Sequence, residues 1–544
     1  MKSYQAVTLK RKYEKGGSFF CIFIHKRINK ASMKWKILKP IRVVVSLLLL
    51  ALTCGIFADI SVISSVSLIK TILYLQFVPS LIGFFYSLSF AASGFLVITI
   101  LTLFFGRIYC SSVCSLGTIH DIVTGIRNRL HPVQPDETRQ STYRKGLPWI
   151  SHPILGLTLV LFLSGNLFLL ILLDPFSLAG RFVSGLVGPL FDLPGNPLFF
   201  SFHSLRNPAA EETTRHVSSL LPLLVTGFVF VFIVFLAIYK NRWYCTVICP
   251  VGTLLGLLSR ISLFRIKMHK DSCISCGNCS QVCKSGCIDP GKKELDFTRC
   301  VACFNCLQAC SNNGIRYRIF RPVPSGSPPD TLNTHSRREF IKRIALTPAV
   351  PSLFKTVFAN QQENTLEEED PLPATPPGSI GIDHYTESCT SCHLCVSACP
   401  TGVLQPSVMA FGFTGILQPR MNFEAGYCDF ECFKCLEICP TGAILPLPLE
   451  QKKRIQIGTS QLIKNLCIPV ADRTTCGLCA EECPTKTISM IPFLGDLTIP
   501  VIDEKTCIGC GACEHICPTR PVRAIYVKPH SVQRVAWKPS ELSK

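Results

Sequence analysis

Thirty-one cysteines occur in this chain of 544 residues, and most of them follow a spacing that is typical of metal ligands. The run C-x2-C-x2-C-x3-C, or a close variant of it, occurs six times after residue 268. Disulfide frameworks have no reason to repeat this spacing, whereas thiolates in such runs bind [4Fe-4S] clusters. The residue types and their spacing therefore predict iron–sulfur chemistry, in which each cluster carries one electron.

Two of the runs lie within residues 269–320 and predict a dicluster ferredoxin module. In two-cluster ferredoxins, three cysteines of one run and the fourth cysteine of the other run bind each cubane. On this scheme, one cluster takes Cys273, Cys276, Cys279 and Cys310, and the other takes Cys283, Cys300, Cys303 and Cys306. A zinc site needs fewer ligands and would leave cysteines unused. Cys287 is a spare cysteine in this scheme.

The other four runs lie within residues 381–530 and predict a four-cluster ferredoxin module. Their cysteines are, run by run, Cys389, Cys392, Cys395 and Cys399; Cys428, Cys432, Cys435 and Cys439; Cys467, Cys476, Cys479 and Cys483; and Cys507, Cys510, Cys513 and Cys517. Four thiolates suit each cubane, so the whole chain is expected to hold about six [4Fe-4S] clusters, with iron as the metal. The spacing does not show which runs exchange their fourth cysteines. Cys467 is the least regular candidate, because it lies far from Cys476 in the sequence.

Four further cysteines form two C-x3-C pairs outside the ferredoxin runs. Cys110 and Cys114 lie in the motif R-x-Y-C-x3-C-x2-G-T, and Cys245 and Cys249 lie in a second copy of it. Residues four apart share one face of a helix, so four sulfurs could converge if the two copies meet. They could bind a metal, cycle as redox dithiols or pack as small apolar side chains. The sequence leaves these alternatives open.

The elements that carry the two pairs are apolar helices. Hydropathy is concentrated before residue 240, where four runs are long enough to cross a bilayer, which takes about 20 helical residues. These runs are 41–60, 81–105, 153–173 and 220–239, and a fifth, interfacial or re-entrant segment could lie within the apolar stretch 174–218. The predicted fold is an α-helical membrane domain (41–268) with four transmembrane helices, followed by two α+β ferredoxin-like modules. The motif copies follow the second and fourth spans, as in a parallel repeat about the membrane normal.

The formal net charge of +20 is distributed unevenly along the chain, and this distribution predicts how the chain is oriented in the membrane. Residues 1–40 form a basic segment before the first span, and basic residues also follow the second and fourth spans. Lys and Arg mark the cytoplasmic flanks of inner-membrane proteins, so we expect a multi-pass protein with the dicluster module in the cytoplasm. No nucleic-acid motif accompanies the charge, and no nucleic-acid partner is expected.

The linker, residues 321–380, contains a run that is similar to a twin-arginine export signal. Residues 336–342 read S-R-R-E-F-I-K and begin a modestly apolar stretch that ends near residue 359. This export route carries folded proteins with their cofactors already bound. The run therefore predicts that the four-cluster module lies in the periplasm. A tail, residues 531–544, follows this module in the sequence.

With these motifs, the chain resembles a fusion of two ferredoxin families that serve periplasmic respiratory reductases. Residues 35–320 resemble the NapH-type membrane polyferredoxin, and residues 336–530 resemble the NapG/MauM-type exported ferredoxin. The resemblance implies anaerobic respiration, in which a quinol dehydrogenase passes electrons from quinol to a periplasmic reductase or its cytochrome, with nitrate reductase the best-known partner. A redox-sensing or maturation factor for a respiratory metalloenzyme is the alternative. No quinone site is recognisable, although Asp59, His120, His152 and Asp174 could accept protons near the span ends.

Overall fold

The computed structural model describes residues 37–58, 65–87, 93–130, 143–188, 220–269, 271–312, 314–319 and 372–537. The basic segment up to residue 36, Asp59 and the twin-arginine-like run lie outside the described residues. The helices are α1 (Leu38–Phe57), α2 (Val66–Tyr74), α3 (Phe77–Ser87), α4 (Gly94–Phe105), α5 (Tyr109–Ser112), α6 (Ser115–Leu130), α7 (Pro148–Leu163), α8 (Phe168–Leu173), α9 (Pro175–Phe182), α10 (Leu220–Lys240), α11 (Pro250–Ser259), α12 (Asn278–Gln281), α13 (Asn305–Ala309), α14 (Ile382–Ser388), α15 (Leu394–Ala398), α16 (Lys434–Ile438), α17 (Leu449–Lys452), α18 (Ile468–Ala471), α19 (Leu478–Glu481) and α20 (Ala512–Ile516).

Five antiparallel two-stranded sheets complete the described fold. The strands are β1 (Phe264–Met268), β2 (Ile288–Asp289), β3 (Glu294–Leu295), β4 (Ile315–Ile319), β5 (Leu404–Pro406), β6 (Pro419–Met421), β7 (Ile455–Leu462), β8 (Ile488–Leu494), β9 (Leu497–Ile502) and β10 (Ile525–Val535). They pair as β1–β4, β2–β3, β5–β6, β7–β10 and β8–β9. Short helices and small sheets of this kind form both ferredoxin modules, in which the cysteines are buried or half-buried apart from the exposed Cys276.

Two helices among the described residues are long and apolar enough to cross a membrane. They are α1 and the segment Leu221–Lys240 of α10, and they coincide with the predicted spans 41–60 and 220–239. Helices α2 and α3 form a pair that is bent by 97° and would add a third span if the pair crosses as one unit. We call residues 37–263 the helical domain.

The predicted span 81–105 does not form one continuous helix. Helix α3 ends at Ser87 and α4 begins at Gly94. A Cβ on Gly94 would lie 1.7 Å from the carbonyl oxygen of Tyr74, so only glycine allows this close approach. The rings of Phe84 and Phe95 lie 5.4 Å apart. The two helices therefore pack against each other, and the prediction of one straight span was wrong at this point.

The predicted span 153–173 is also interrupted. Gly165 adopts a φ of 82°, a left-handed conformation that ends α7. The side chain of Asn166 then accepts a hydrogen bond of 2.9 Å from the backbone N–H of Phe168 and begins α8. Asp174 caps α9 in turn, by accepting from the backbone N–H of Ser177 at 2.8 Å. Helix α9 is buried along almost its whole length and lies within the apolar stretch 174–218.

The four-cluster module begins earlier than the sequence suggested. Residues 372–380, which the sequence assigned to the linker, are anchored by the side chain of Gln533. Its amide nitrogen donates to the Pro376 carbonyl at 2.7 Å and to the Ser379 hydroxyl at 2.9 Å. Because these partners are buried, the segment belongs to the folded module.

The two ferredoxin modules lie at opposite ends of α1. Near the first turn of this helix, Lys39 donates to the side chain of Gln308 in the dicluster module at 2.7 Å. At the last turn, Phe57 shares an apolar core with Leu394 and Ala398 of the four-cluster module. A helix of 20 residues is about 30 Å long, which is close to the thickness of the hydrocarbon layer of a bilayer.

Candidate functional site

The dicluster module gathers its cysteines into two sets. Cys279 lies within electrostatic reach of Cys273, Cys276 and Cys310, and the four residues line one cavity. Cys306 lies within reach of Cys283, Cys300 and Cys303. We call these groups set 1 and set 2. They are the groups that the ferredoxin spacing predicts, with the fourth cysteine of each run given to the other set.

The four-cluster module gathers its cysteines into four sets. Set 3 contains Cys389, Cys392, Cys395 and Cys439, and set 4 contains Cys399, Cys428, Cys432 and Cys435. Set 5 contains Cys467, Cys476, Cys479 and Cys517, and set 6 contains Cys483, Cys507, Cys510 and Cys513. The first two runs therefore exchange their fourth cysteines, and so do the last two. Cys467 joins a complete set despite its irregular spacing.

Left-handed residues turn the chain beside four of the six sets, namely sets 1, 2, 3 and 6. Gly277, Phe304, His393 and Gly511 all have positive φ and precede the short helices α12, α13, α15 and α20. Such a residue lets a tight loop of three cysteines end directly at a helix. At His393 the cost of the left-handed backbone conformation is offset by a hydrogen bond, because its Nε2 lies 2.8 Å from the carbonyl oxygen of Leu417 and donates to it.

Threonine hydroxyls lie beside four of the exchanged cysteines. In each C-P-T sequence of the four-cluster module, the hydroxyl lies 3.2 to 3.7 Å from the sulfur of the cysteine two residues earlier. Hydrogen bonds to cluster sulfur tune the reduction potential. The sequence analysis missed these threonines, although the repeated C-P-T sequence could have revealed them.

The spare Cys287 is buried next to set 2. Its sulfur lies 3.5 Å from the sulfur of Cys283. The hydrogen bond from the Cys287 thiol is the main reason why the pKa of Cys283 falls to about 6. Cys287 thus favours the thiolate form of a neighbouring cysteine without belonging to a set.

The two C-x3-C pairs meet in the core of the helical domain. Cys110, Cys114, Cys245 and Cys249 belong to one apolar core. The spacing of four residues suggested that each pair lies on one helix, but neither pair lies on a continuous helix. The first cysteine of each pair lies in a wide turn, which is closed by a backbone hydrogen bond between residues five apart. The N–H of Cys114 donates to the carbonyl oxygen of Tyr109, and the N–H of Cys249 donates to that of Tyr244. The second cysteine then precedes the next helix, α6 or α11.

Two buried arginines join the motif copies reciprocally. Arg107 donates to the carbonyl oxygen of Cys245 at 2.8 Å, and Arg242 donates to the carbonyl oxygen of Cys110 at 2.6 Å. Both side chains are only 1% exposed. The arginine of each motif therefore binds the first cysteine of the other copy, and this gives the site its two-fold symmetry.

Asp121 connects this core to the dicluster module. Its carboxylate lies 3.0 Å from Arg42, 2.8 Å from Arg242 and 2.8 Å from Lys284. Burial disfavours the charged carboxylate, but the three cations outweigh this effect and hold the pKa of Asp121 well below its usual range. Asp121 is therefore ionised in the folded protein and fixes Lys284, the residue after Cys283, against the helical domain.

The sets follow one another in space without interruption inside each module. Cys306 of set 2 lies within reach of Cys279 of set 1, and Cys395 of set 3 lies within reach of Cys435. The N–H of Cys428 in set 4 donates to the carbonyl of Cys510 in set 6 at 2.9 Å. Cys513 of set 6 lies within reach of Cys479 of set 5. The order of the sets is therefore 1–2 in the dicluster module and 3–4–6–5 in the four-cluster module.

The helical domain touches one set from each module. Cys303 of set 2 lies in the same core as the two C-x3-C pairs. On the other side, Arg181 on the buried helix α9 lies within electrostatic reach of Asp174, Tyr244 and Cys392 of set 3. Sets 2 and 3 are thus the two that face each other through the helical domain.

The candidate proton acceptors have unequal surroundings. His120 is buried, and its Nδ1 lies 2.9 Å from the carbonyl oxygen of Leu116. Asp174 is buried as the cap of α9. His152 is exposed, and Asp59 lies outside the described residues.

An apolar cavity opens between α6, α9 and α10. Its lining residues are Leu116, Ile119, Leu172, Leu178, Ala179, Arg181, Phe182, Thr226, Val229, Phe230, Ile233 and Leu417. Apolar cavities with a few polar groups are the usual form of small-molecule sites. Arg181 is the charged group of this lining and also lies within electrostatic reach of Cys392.

Family models for iron–sulfur domains match both halves of the chain. A model described as a 4Fe-4S binding domain matches residues 89–133 and 222–270, which include the two C-x3-C pairs. Two models described as 4Fe-4S dicluster domains match residues 296–403 and 472–520. The first model therefore falls on the two motif copies of the helical domain, and the two dicluster models fall on parts of the modules that hold sets 1 to 6.

Two ferredoxin-type proteins resemble about a third of the chain. NapF of Escherichia coli (strain K12) is 28% identical over 156 residues, which are 28% of this chain and 86% of NapF. MauM of Methylobacillus flagellatus, a methylamine utilization ferredoxin-type protein, is 31% identical over 203 residues, which are 34% of this chain and 81% of MauM. The chain belongs to the MauM family of ferredoxin-type proteins.

This member of the MauM family is an iron–sulfur electron-transfer protein with several [4Fe-4S] clusters. The putative electron transport protein YccM of Escherichia coli is also similar, with 24% identity over 186 residues, which are 34% of this chain and 43% of YccM. No solved structure matches the chain.

Proposed function

We propose that the protein carries electrons across the inner membrane through six [4Fe-4S] clusters, one in each cysteine set. The residues fit the clusters, because four thiols surround each position and sets 1 and 6 line cavities of their own. A cubane bound to four thiolates would move one electron at a time. The cysteines would hold the iron, and the C-P-T hydroxyls and Cys287 would adjust the potentials.

The position of the modules at the two ends of α1 carries this proposal. Lys39 contacts the dicluster module and Phe57 contacts the four-cluster module, with one helix of bilayer length between them. The basic flanks of the sequence favour the cytoplasm for the dicluster module. The four-cluster module would then lie in the periplasm, in agreement with the twin-arginine-like run.

We also propose that quinol feeds electrons into this path at set 3, and that a periplasmic reductase, of the nitrate-reductase type, accepts them. The apolar cavity beside Arg181 supports a quinol site, because a quinol needs apolar walls for its ring and a polar group for its hydroxyls. The cavity also lies next to set 3, from which sets 4, 6 and 5 lead away from the helical domain. The far end of this series would face the reductase or its cytochrome.

Proteoliposomes with ferricyanide trapped inside test the transmembrane path. Dithionite added outside should bleach the trapped ferricyanide when the parent protein is present. Cys303→Ser, at the exit of set 2, should slow the bleaching strongly, whereas Cys54→Ser, a cysteine outside every set, should not. Full reduction of the clusters by external dithionite while the trapped ferricyanide stays oxidised would show that the modules do not form one path.

The quinol site has its own test. Phe230→Trp should fill the cavity and lower the rate at which a quinol analogue reduces the clusters. Phe228→Trp is the matched control, because Phe228 lies on the same helix and is 74% exposed. Dithionite should reduce both variants at the parent rate. Equal quinol rates in the two variants would move the donor site elsewhere.

A further inference from the structure

We propose that Cys110, Cys114, Cys245 and Cys249 bind a seventh iron–sulfur cluster in the core of the helical domain, between sets 2 and 3. The cluster would lie on the two-fold axis that relates the two motif copies, and each copy would supply two of its four ligands. This inference deepens the proposed function, because the six ferredoxin clusters leave the interior of the helical domain without a carrier.

The four thiols lie together in one buried group. Cys249 lies within electrostatic reach of Cys245, Cys110 and Cys114, so both pairs contribute to one group. All four side chains are at most 6% exposed, and none of them forms a disulfide. Among the described residues, no group of three or more His, Cys, Asp or Glu side chains is arranged to hold one metal ion, and this applies to the six ferredoxin sets as well as to these four thiols. A cluster of several irons holds its four thiolates farther apart than a single ion does.

The charges around the thiols favour an anionic cofactor. Arg107 and Arg242 are both buried beside them, and Arg242 forms an ion pair with Asp121, which also pairs with Arg42 and Lys284. The partners of Arg107 within the described chain are two backbone carbonyls and the sulfur of Cys110, at 3.9 Å, and its Nε has no partner there. A buried guanidinium without an anion is costly. Four thiolates outweigh the positive charge of an iron–sulfur core, so a cluster would supply the missing negative charge.

Backbone N–H groups also point at the sulfurs. The N–H of Gly252 donates to the sulfur of Cys249 at 3.3 Å, and Gly117 donates to Cys114 in the same way. Each of these sulfurs lies at the N-terminus of a helix, α11 or α6, whose N–H groups oppose the cost of burying a thiolate. Hydrogen bonds of this kind stabilise and tune sulfur-ligated clusters.

The site has contacts to the neighbouring carriers on both sides. Arg242, beside Cys245, also lies within electrostatic reach of Cys303 of set 2. Tyr244, beside Cys249, lies near Asp174 and Arg181, and Arg181 lies near Cys392 of set 3. The seventh cluster would accept one electron from the cluster of set 2 and pass one electron to the cluster of set 3, or the reverse. No proton or leaving group takes part in this exchange.

Iron and acid-labile sulfide analysis of the intact protein, purified without oxygen, tests the proposal. Six cubanes give about 24 iron atoms per chain, a seventh cubane gives about 28, and a seventh cluster of the [2Fe-2S] type gives about 26. Cys245→Ser combined with Cys249→Ser should remove the additional two or four atoms and the matching electron paramagnetic resonance signal. Cys54→Ser should retain the full content.

The parent protein gives a result even if the double variant does not fold. A Mössbauer spectrum of the parent that accounts for all iron with six cubanes would overturn the proposal. So would a folded double variant that keeps the iron content and the signals of the parent. If that variant also bleaches trapped ferricyanide at the parent rate, the transmembrane path remains and only the seventh cluster is excluded. If the parent protein itself does not bleach the trapped ferricyanide, the proposed path across the membrane is rejected instead.

Discussion

Arg242 donates a hydrogen bond of 2.6 Å to the carbonyl oxygen of Cys110, and the related bond from Arg107 to Cys245 runs in the opposite direction. Each arginine therefore donates to a buried backbone carbonyl of the other motif copy. The two copies are therefore complementary parts of one site. The glycine of each motif is needed for the same reason, because it lets the following helix approach that carbonyl.

The first prediction concerns Gly117. A Cβ at this position would lie 2.3 Å from the carbonyl oxygen of Cys110, so Gly117→Ala must push α6 away from the cysteine turn. Overpacking of this kind costs about 1–3 kcal/mol. We expect a lower thermal unfolding midpoint and a changed absorbance of the iron–sulfur chromophores. Gly125→Ala on the same helix is the control, because nothing lies within 4 Å of its Cβ. Equal midpoints for the two variants would contradict this account.

Asp121→Asn should loosen the dicluster module from the helical domain. The substitution leaves Arg42, Arg242 and Lys284 without their shared carboxylate. Removing one partner of a buried ion pair costs about 3–5 kcal/mol. Denaturant unfolding followed by cluster absorbance should show the loss, whereas Asp496→Asn at an exposed turn should not. Because the folded pKa of Asp121 is lowered, its stabilisation is present above the unfolded pKa and is lost as the pH falls through the folded pKa.

Gly180→Ala should separate the four-cluster module from the helical domain. The added Cβ would lie 2.5 Å from the carbonyl oxygen of Cys392 and 2.5 Å from the ring of Phe57. We expect a cost of about 1–3 kcal/mol, which is about 5- to 150-fold in the docking equilibrium. Transfer to trapped ferricyanide should fall while the iron content stays unchanged. Gly227→Ala, with open space at its Cβ, is the matched control. Unchanged transfer in Gly180→Ala would show that this contact is dispensable.

Cys467→Ser tests the irregular run. Cys467 lies within reach of Cys476 and Cys517, so it should be an obligatory ligand of set 5. The variant should lose about four iron atoms per chain, or retain a three-iron cluster that lacks about one atom. Iron analysis and electron paramagnetic resonance separate these outcomes. Parent iron content with parent spectra would exclude Cys467 as a ligand.

Replacing Arg337 and Arg338 together by lysine tests the sidedness of the four-cluster module. If the run is an export signal, the double variant should leave this module in the cytoplasm. Protease access to residues 361–371 in spheroplasts reports the difference, and Arg343→Lys is the control. Protection of this segment in both the parent and the variant would indicate that all the clusters share one compartment.

The sequence predicted most of the chemistry and less of the architecture. Sets 1 and 2 follow from the spacing of the runs, because each loop presents three sulfurs and the partner run lies close by. The exchange of Cys439 with Cys399 could not be predicted, since four runs allow several pairings. Hydropathy located α1 and α10 but not the breaks at Gly94 and Gly165, because a hydropathy average does not register a close backbone approach or a left-handed residue. The sequence did show Arg107 and Arg242, but only the folded chain shows that they cross between the copies.

The exchange of fourth cysteines has a consequence for biosynthesis. In the dicluster module, Cys306 completes set 2 and Cys310 completes set 1, one helical turn later. The same order holds at Cys435, which completes set 4, and at Cys439, which completes set 3. As the chain leaves the ribosome, neither cluster of a pair can close early, and both become ready almost together. Cofactor loading would therefore proceed in pairs, and a chain truncated before the third cysteine of the later run would leave both clusters of that pair incomplete.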